Sequence, residues 1–145
     1  MKRLYFDTSA LVKIYHREAG SEYCLDRYED QSPLIISELA RVEFHSALFR
    51  KQRDNELNAE ALEVVLQKFE FDCEERYEVL HVSSLIYDDA CRLLAQYTGV
   101  GLRTLDSLQL ATFLNYCEKD QDLFVCADRK LSVVVNREGV QAVIV

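Results

Sequence analysis

The sequence predicts an α/β fold, a mostly parallel sheet covered by helices, and three observations carry that expectation. Short apolar runs of β-type composition alternate along the whole chain with segments of helical periodicity, the trace that strand–helix–strand units leave in a sequence. The chain has 145 residues, 49% of them apolar, which suits one packed core over residues 1–145. One proline and four glycines leave no low-complexity linker and little punctuation, and no internal repeat is present.

Leu4-Tyr5-Phe6 reads as a short buried strand, and Asp7-Thr8-Ser9 favour a turn and a helix cap. A helix from Ala10 to about Arg17 follows, then a short one from Ser21 to Tyr28. Leu34-Ile35-Ile36 is a second strand entered through Pro33. Ser37 is the expected N-cap and Glu38 the first-turn acid of a helix reaching about Gln52. Asn58 caps another long helix, where Leu62, Val65, Leu66 and Phe69 keep the spacing of a core-facing stripe, with a dimer surface as the other use. Val79 to Val82 is strand-like. Ser83 can cap a helix to about Tyr97 that Gly99 would stop, and Thr104 a helix from Leu105 to about Cys117. Leu123 to Cys126 is a strand, Arg129 to about Asn136 a short helix, and Gln141 to Val145 a last strand.

Composition narrows the chemistry. Cys24, Cys73, Cys91, Cys117 and Cys126 are odd in number and contain no C-x-x-C pair, which argues against a disulfide framework and a thiolate zinc site. His16, His45 and His81 are far apart, so any reactive site must use oxygen ligands. The start, MKRLYFDTSALVKIY, has no apolar signal region, and no run approaches the roughly 20 apolar residues of a spanning helix. A cytoplasmic protein without a membrane partner is expected. Net charge is −8, from 25 acidic and 17 basic residues, which opposes nucleic-acid binding unless bound cations reverse the field over clustered acids. A basic run stands at Arg50-Lys51-Gln52-Arg53, with Lys2, Arg3, Lys13, Arg41 and Arg103 elsewhere. A basic partner protein also fits the acidic total.

Four carboxylates stand out. Asp7 and Asp128 each follow a strand and precede a helix, and ligands of open α/β sheets bind beyond the carboxyl ends of strands. The plain alternative for both is capping. Glu43 lies on a largely apolar helix face with Leu39, Ala40, Ser46 and Ala47, where an acid needs a compensating partner; a structural ion pair with Arg41 or Arg103 is the alternative. Asp106 sits in a first turn, where it complements the helix dipole, yet its face continues inward through Leu110 and Phe113. Four acids without histidine or cysteine suit a hard cation, Mg²⁺ or Mn²⁺. Asp7, Asp106 and Asp128 would hold the principal ion, and Glu43 a second ion or the attacking water. Like charges sharing the site should raise the pKa of at least one acid. Tyr5, Phe6, Phe44, Phe69, Phe71 and Phe113 are expected in the core, with Tyr15, Tyr23 and Tyr28 half-buried.

Four segments, Leu4 to Lys13, Ser37 to Phe44, Leu102 to Ala111 and Phe124 to Arg129, resemble the PIN-domain motifs in order and in context, most closely those of VapC-type toxin ribonucleases. The resemblance spans the chain. It places the family's acidic positions on Asp7, Glu43, Asp106 and Asp128. It implies a three-layer α/β/α sandwich around about five strands, and divalent-metal-dependent endonucleolytic cleavage of RNA leaving a 5′-phosphate. It also implies a homodimer and a separate antitoxin whose tail blocks the acidic pocket, often through a basic residue. One departure is Cys126, where the family usually has Thr or Ser. The alternative is a catalytically silent PIN-like module that binds RNA or protein. A phosphatase of the haloacid-dehalogenase type requires a second Asp where this chain has Ser9, and a receiver domain requires acids beside Asp7 that are absent.

Overall fold

The computed structural model describes residues 2–145. Strands and helices alternate in the expected order: β1 (Leu4–Phe6), α1 (Thr8–Tyr15), α2 (Ser21–Glu29), β2 (Leu34–Ser37), α3 (Leu39–Arg53), α4 (Ala59–Glu75), β3 (Glu78–Leu80), α5 (Ser84–Gln96), α6 (Thr104–Tyr116), β4 (Leu123–Cys126), α7 (Arg129–Arg137) and β5 (Gln141–Ile144). The strands form one parallel sheet in the order β3-β2-β1-β4-β5.

The buried strands lack polar alternation because both faces of the sheet are covered, the usual condition of parallel strands. Successive side chains still divide between the faces. Tyr5, Ile35 and Phe124 join a core with α5, α6 and α7. Leu4, Phe6, Leu34, Ile36 and Val125 join a second core with α1, α3 and α4. Three layers result. In the first core, Tyr5 stacks on Phe124 with ring centroids 5.2 Å apart; in the second, Phe44 stacks on Phe69 at 3.9 Å. Among the described residues, no helix is long and apolar enough to cross a membrane.

Several local expectations need correction. Ser37 ends β2, and its hydroxyl accepts the Leu39 N–H, so Glu38 becomes the α3 N-cap residue. Glu38 does not complement that helix with its side chain; it accepts the Val82 N–H and pairs with His81, tying α3 to the end of β3. β3 itself starts one residue early, at Glu78, and stops at Leu80. Thr104 lies inside α6, whose N-cap residue is Arg103, and α5 ends at Gln96 ahead of Gly99. Phe71 is 58% exposed, because α4 presents Phe69 to the core and turns Phe71 outward. In the α4 stripe, Leu62 and Phe69 are buried and Val65 and Leu66 half-buried against the same core, so packing accounts for it. Tyr15, Tyr23 and Tyr28 are half-buried as expected. Tyr15 and Tyr28 donate to the buried carboxylate of Asp72, which Lys68 also contacts.

Candidate active site

β2 and β3 lie on one side of β1, while β4 and β5 lie on the other. The strand order therefore reverses beside β1, and loops leaving β1 and β4 diverge to opposite layers and open a crevice at the carboxyl edge. Asp7 follows β1 there, and Asp128 follows β4 after Ala127. Pairing is close at this edge: the Asp7 N–H donates to the Val125 carbonyl at 3.0 Å. α3 brings Glu43 to the crevice from one layer and α6 brings Asp106 from the other. All four acids line a single cavity of about 760 Å³.

Capping and exposure to the cavity turn out to be compatible roles. One oxygen of Asp7, Oδ1, accepts both the Ala10 N–H at 3.0 Å and the Ser9 hydroxyl at 2.6 Å. Among the described residues the other oxygen accepts nothing. Ser9 in turn accepts the Ala127 N–H at 3.0 Å, clamping the β1 and β4 turns together. Asp128 repeats the division of labour: Oδ1 accepts the Lys130 and Leu131 N–H groups of α7, and Oδ2 accepts from Arg103. Each strand-end acid thus uses one oxygen for its helix and presents the second.

Glu43 has neither of the ion-pair partners expected for it. Arg41 points to Glu70, and Arg103 binds two other acids. The Glu43 carboxylate instead accepts the side-chain amide of Gln109 at 2.8 Å. Gln109 is buried, donates also to Thr8 Oγ1 at 3.2 Å, and accepts the Tyr5 hydroxyl at 2.6 Å. Tyr5 is fully buried, and burial pushes its phenol well above the ordinary range, so it donates its proton. That donation locks the carboxamide with its oxygen to Tyr5 and its nitrogen to Glu43. Gln109 was not singled out in the sequence, although a polar residue one turn after Asp106, inside an otherwise apolar stretch, was the available signal.

The electrostatics are those of crowded, desolvated acids. Burial raises Asp7 from 3.8 to about 7, against the lowering by Ser9 and Ala10; the charges of Asp106 and Glu43 add to the rise. Burial also raises Glu43, which Gln109 opposes, and Asp106, which Arg103 opposes. The expected rise is therefore present, but desolvation is its largest cause and like-charge repulsion a lesser one.

Arg103, expected as an alternative partner of Glu43, pairs instead with two of the other acids. Its Nε donates to Asp106 Oδ2 and its Nη2 to Asp128 Oδ2, both at 3.1 Å. Among the described residues, no three His, Cys, Asp or Glu side chains are drawn into a ready-made metal cluster. A guanidinium stands between two of the acids instead. The donor set nevertheless fits a hard cation: carboxylates, the hydroxyls of Thr8, Ser9 and Ser46, and a carboxamide line the cavity, with no histidine or thiol among them. A cationic group already bridging two of the carboxylates points the same way. Cys126 does not line the cavity; its buried thiol donates to the Asp128 carbonyl at 3.7 Å, so its softness does not enter the donor set.

A model of the PIN domain matches residues 4–135. The chain belongs to the PIN-domain family. The PIN fold is shared with FitAcB from Neisseria gonorrhoeae (11% identity over 96% of this chain and 95% of the other, TM-score 0.71). It is shared equally with Mycobacterium tuberculosis VapC20, a sarcin-ricin loop cleaving toxin (15%, 90% and 93%, TM-score 0.69). VapBC from Salmonella typhimurium, solved bound to DNA, is a third similar structure (14%, 99% and 98%, TM-score 0.68). No curated protein matches the sequence. In this PIN domain the acids at the four motif positions share one cavity, and the additional groups around them are Ser9, Gln109 and Arg103.

Proposed function

We propose that this PIN domain, acting as one unit over residues 1–145, is a divalent-metal-dependent endoribonuclease and the toxin of a toxin–antitoxin pair. The observation that supports it is the meeting of Asp7, Glu43, Asp106 and Asp128, drawn from four separate segments, in one cavity at the carboxyl edge of the sheet. VapC20, a sarcin-ricin loop cleaving toxin, shares this fold, which favours RNA as the substrate. Similar structures that include VapBC and a toxin-antitoxin complex from Klebsiella pneumoniae favour a separate antitoxin, with a homodimer and a cytoplasmic setting as parts of the same proposal.

Asp7, Asp106 and Asp128 would hold the principal Mg²⁺ or Mn²⁺ ion, and Glu43 a second ion or the attacking water. When bound, the cation supplies Lewis-acid stabilisation of phosphate charge and acidifies water for attack on phosphorus. The chain's own contribution is position. Ser9 and the α1 N-terminus fix one oxygen of Asp7 so that the other is presented, and α7 does the same for Asp128. Gln109, locked by Tyr5, aims Glu43. Burial of Asp7 raises the free energy of its charged form, so a cation is favoured over bare ionisation.

The test is incubation of the purified, partner-free protein with total RNA in Mg²⁺, Mn²⁺ and chelator, beside Asp7→Asn and Asp106→Asn. Cleavage in metal, none in chelator, and loss of nearly all cleavage in both folded variants are expected. Equal cleavage by parent and variants means a contaminating nuclease and refutes the proposal. Millimolar Mg²⁺ should also raise the melting temperature, since only the folded cavity gathers the acids.

A further inference from the structure

Beside the carboxylate cavity lies a smaller hollow of about 270 Å³ that shares Arg103, Asp106 and Asp128 with it and adds Arg129 and Lys130 as a basic wall. Arg129 and Lys130 start α7, whose first N–H groups Asp128 caps, and no acidic residue stands within that first turn. Both are exposed, and among the described residues neither enters an ion pair. In a chain of net charge −8, three cations converge beside the acids. Asp106 and Asp128 compensate Arg103 there, while Arg129 and Lys130 face the hollow without an ion-pair partner among the described residues.

Arg103 belongs to both hollows. Its guanidinium links Asp106 of α6 to Asp128 of the β4–α7 turn, yet its side chain is 73% exposed and, among the described residues, is held there by these two ion pairs alone. Exposed ion pairs of this kind are weak. A divalent cation held by the same carboxylates would displace the guanidinium and leave the arginine free to turn toward the phosphate-facing side beside Arg129 and Lys130. We propose that Arg103 is a tethered counter-ion that closes the carboxylate site without metal and, once displaced, completes with Arg129 and Lys130 a subsite for the RNA phosphate next to the scissile one. The occupant follows from chemistry: a guanidinium offers phosphate a bidentate pair, and a strand laid across Asp106 and Asp128 continues into this hollow. The inference rests on the ribonuclease reading above.

The test compares the parent with Arg103→Gln and with the double variant Arg129→Gln/Lys130→Gln. The Arg103 side chain caps nothing and is exposed, so its replacement leaves the fold intact. Removing the internal competitor lowers the Mg²⁺ concentration that gives half the rise in melting temperature, by roughly threefold to tenfold. At saturating Mg²⁺ the same variant raises KM for a defined oligoribonucleotide by roughly tenfold, with a smaller effect on kcat. The double variant raises KM and leaves the Mg²⁺ midpoint unchanged. Unchanged or weaker Mg²⁺ binding by Arg103→Gln, in a parent that does bind Mg²⁺ and cut RNA, overturns the tethered counter-ion alone. An unchanged KM in both variants overturns the phosphate subsite. A parent whose melting ignores Mg²⁺ and that cuts nothing overturns the ribonuclease reading and this inference together.

Discussion

Asp7→Asn should stabilise the metal-free protein while abolishing its activity, and the size of the gain follows from the site. Asp7 is 5% exposed, and its pKa rises from 3.8 to about 7 on folding. A carboxylate with a raised pKa is bound to its proton more tightly in the folded state. From about pH 4 to pH 7 the folded parent thus keeps a proton that the unfolded chain has released, and stability falls as pH rises through that window before levelling off. A rise of about three pH units, at roughly 1.4 kcal/mol per unit, makes the cost of the ionised form about 4 kcal/mol above pH 7. Asn is neutral and still accepts from Ser9 and the Ala10 N–H, so the cap survives. The raised pKa already includes the lowering by the Ala10 N–H at the α1 N-terminus, so the net gain at pH 8 is about 4 kcal/mol. Urea unfolding in chelator, repeated from pH 4 to pH 8, measures it. The difference between variant and parent should grow through the window and then flatten. Mg²⁺ at a hundred times its dissociation constant should restore about 2.7 kcal/mol to the parent and far less to the variant. A difference that does not depend on pH refutes the claim that Asp7 is held against its charge.

Gln109→Leu strands the buried Tyr5 hydroxyl and releases Glu43, and should destabilise by about 1–3 kcal/mol in chemical denaturation. Adding Tyr5→Phe should recover much of that stability without recovering RNA cleavage, which separates packing from the aim of Glu43. Phe69→Ala removes a fully buried ring stacked on Phe44 and should cost about 3–5 kcal/mol, read as a lower urea midpoint, with cleavage unaffected while the protein stays folded.

The parts of the fold legible in the sequence were those with strong local periodicity. Leu34-Ile35-Ile36 and Leu123 to Cys126 are apolar on both faces and could only be covered strands, and the spacing of Leu62 and Phe69 marked the inner side of α4. The misjudged positions are those where neighbours from afar decide. Glu38 looks like an ordinary first-turn acid until β3 delivers the Val82 N–H to it. Phe71 is as apolar as Phe69, but only one of the two can face the sheet. Asp72, which no local pattern marks, is buried with Tyr15 and Tyr28 from other helices donating to it.

The candidate site divides along the same line. The residue types and their order, an acid after each of two strands and one on each of two helices, were set by the linear chain and pointed to a hard-cation chemistry. Which partners surround those acids was decided only in three dimensions. Arg103 bridges Asp106 and Asp128, while Gln109 and not an arginine satisfies Glu43. Periodicity is a local property that fixes which side chains turn inward. Charge compensation is a contact between segments far apart in the chain, and only the packed layers choose it.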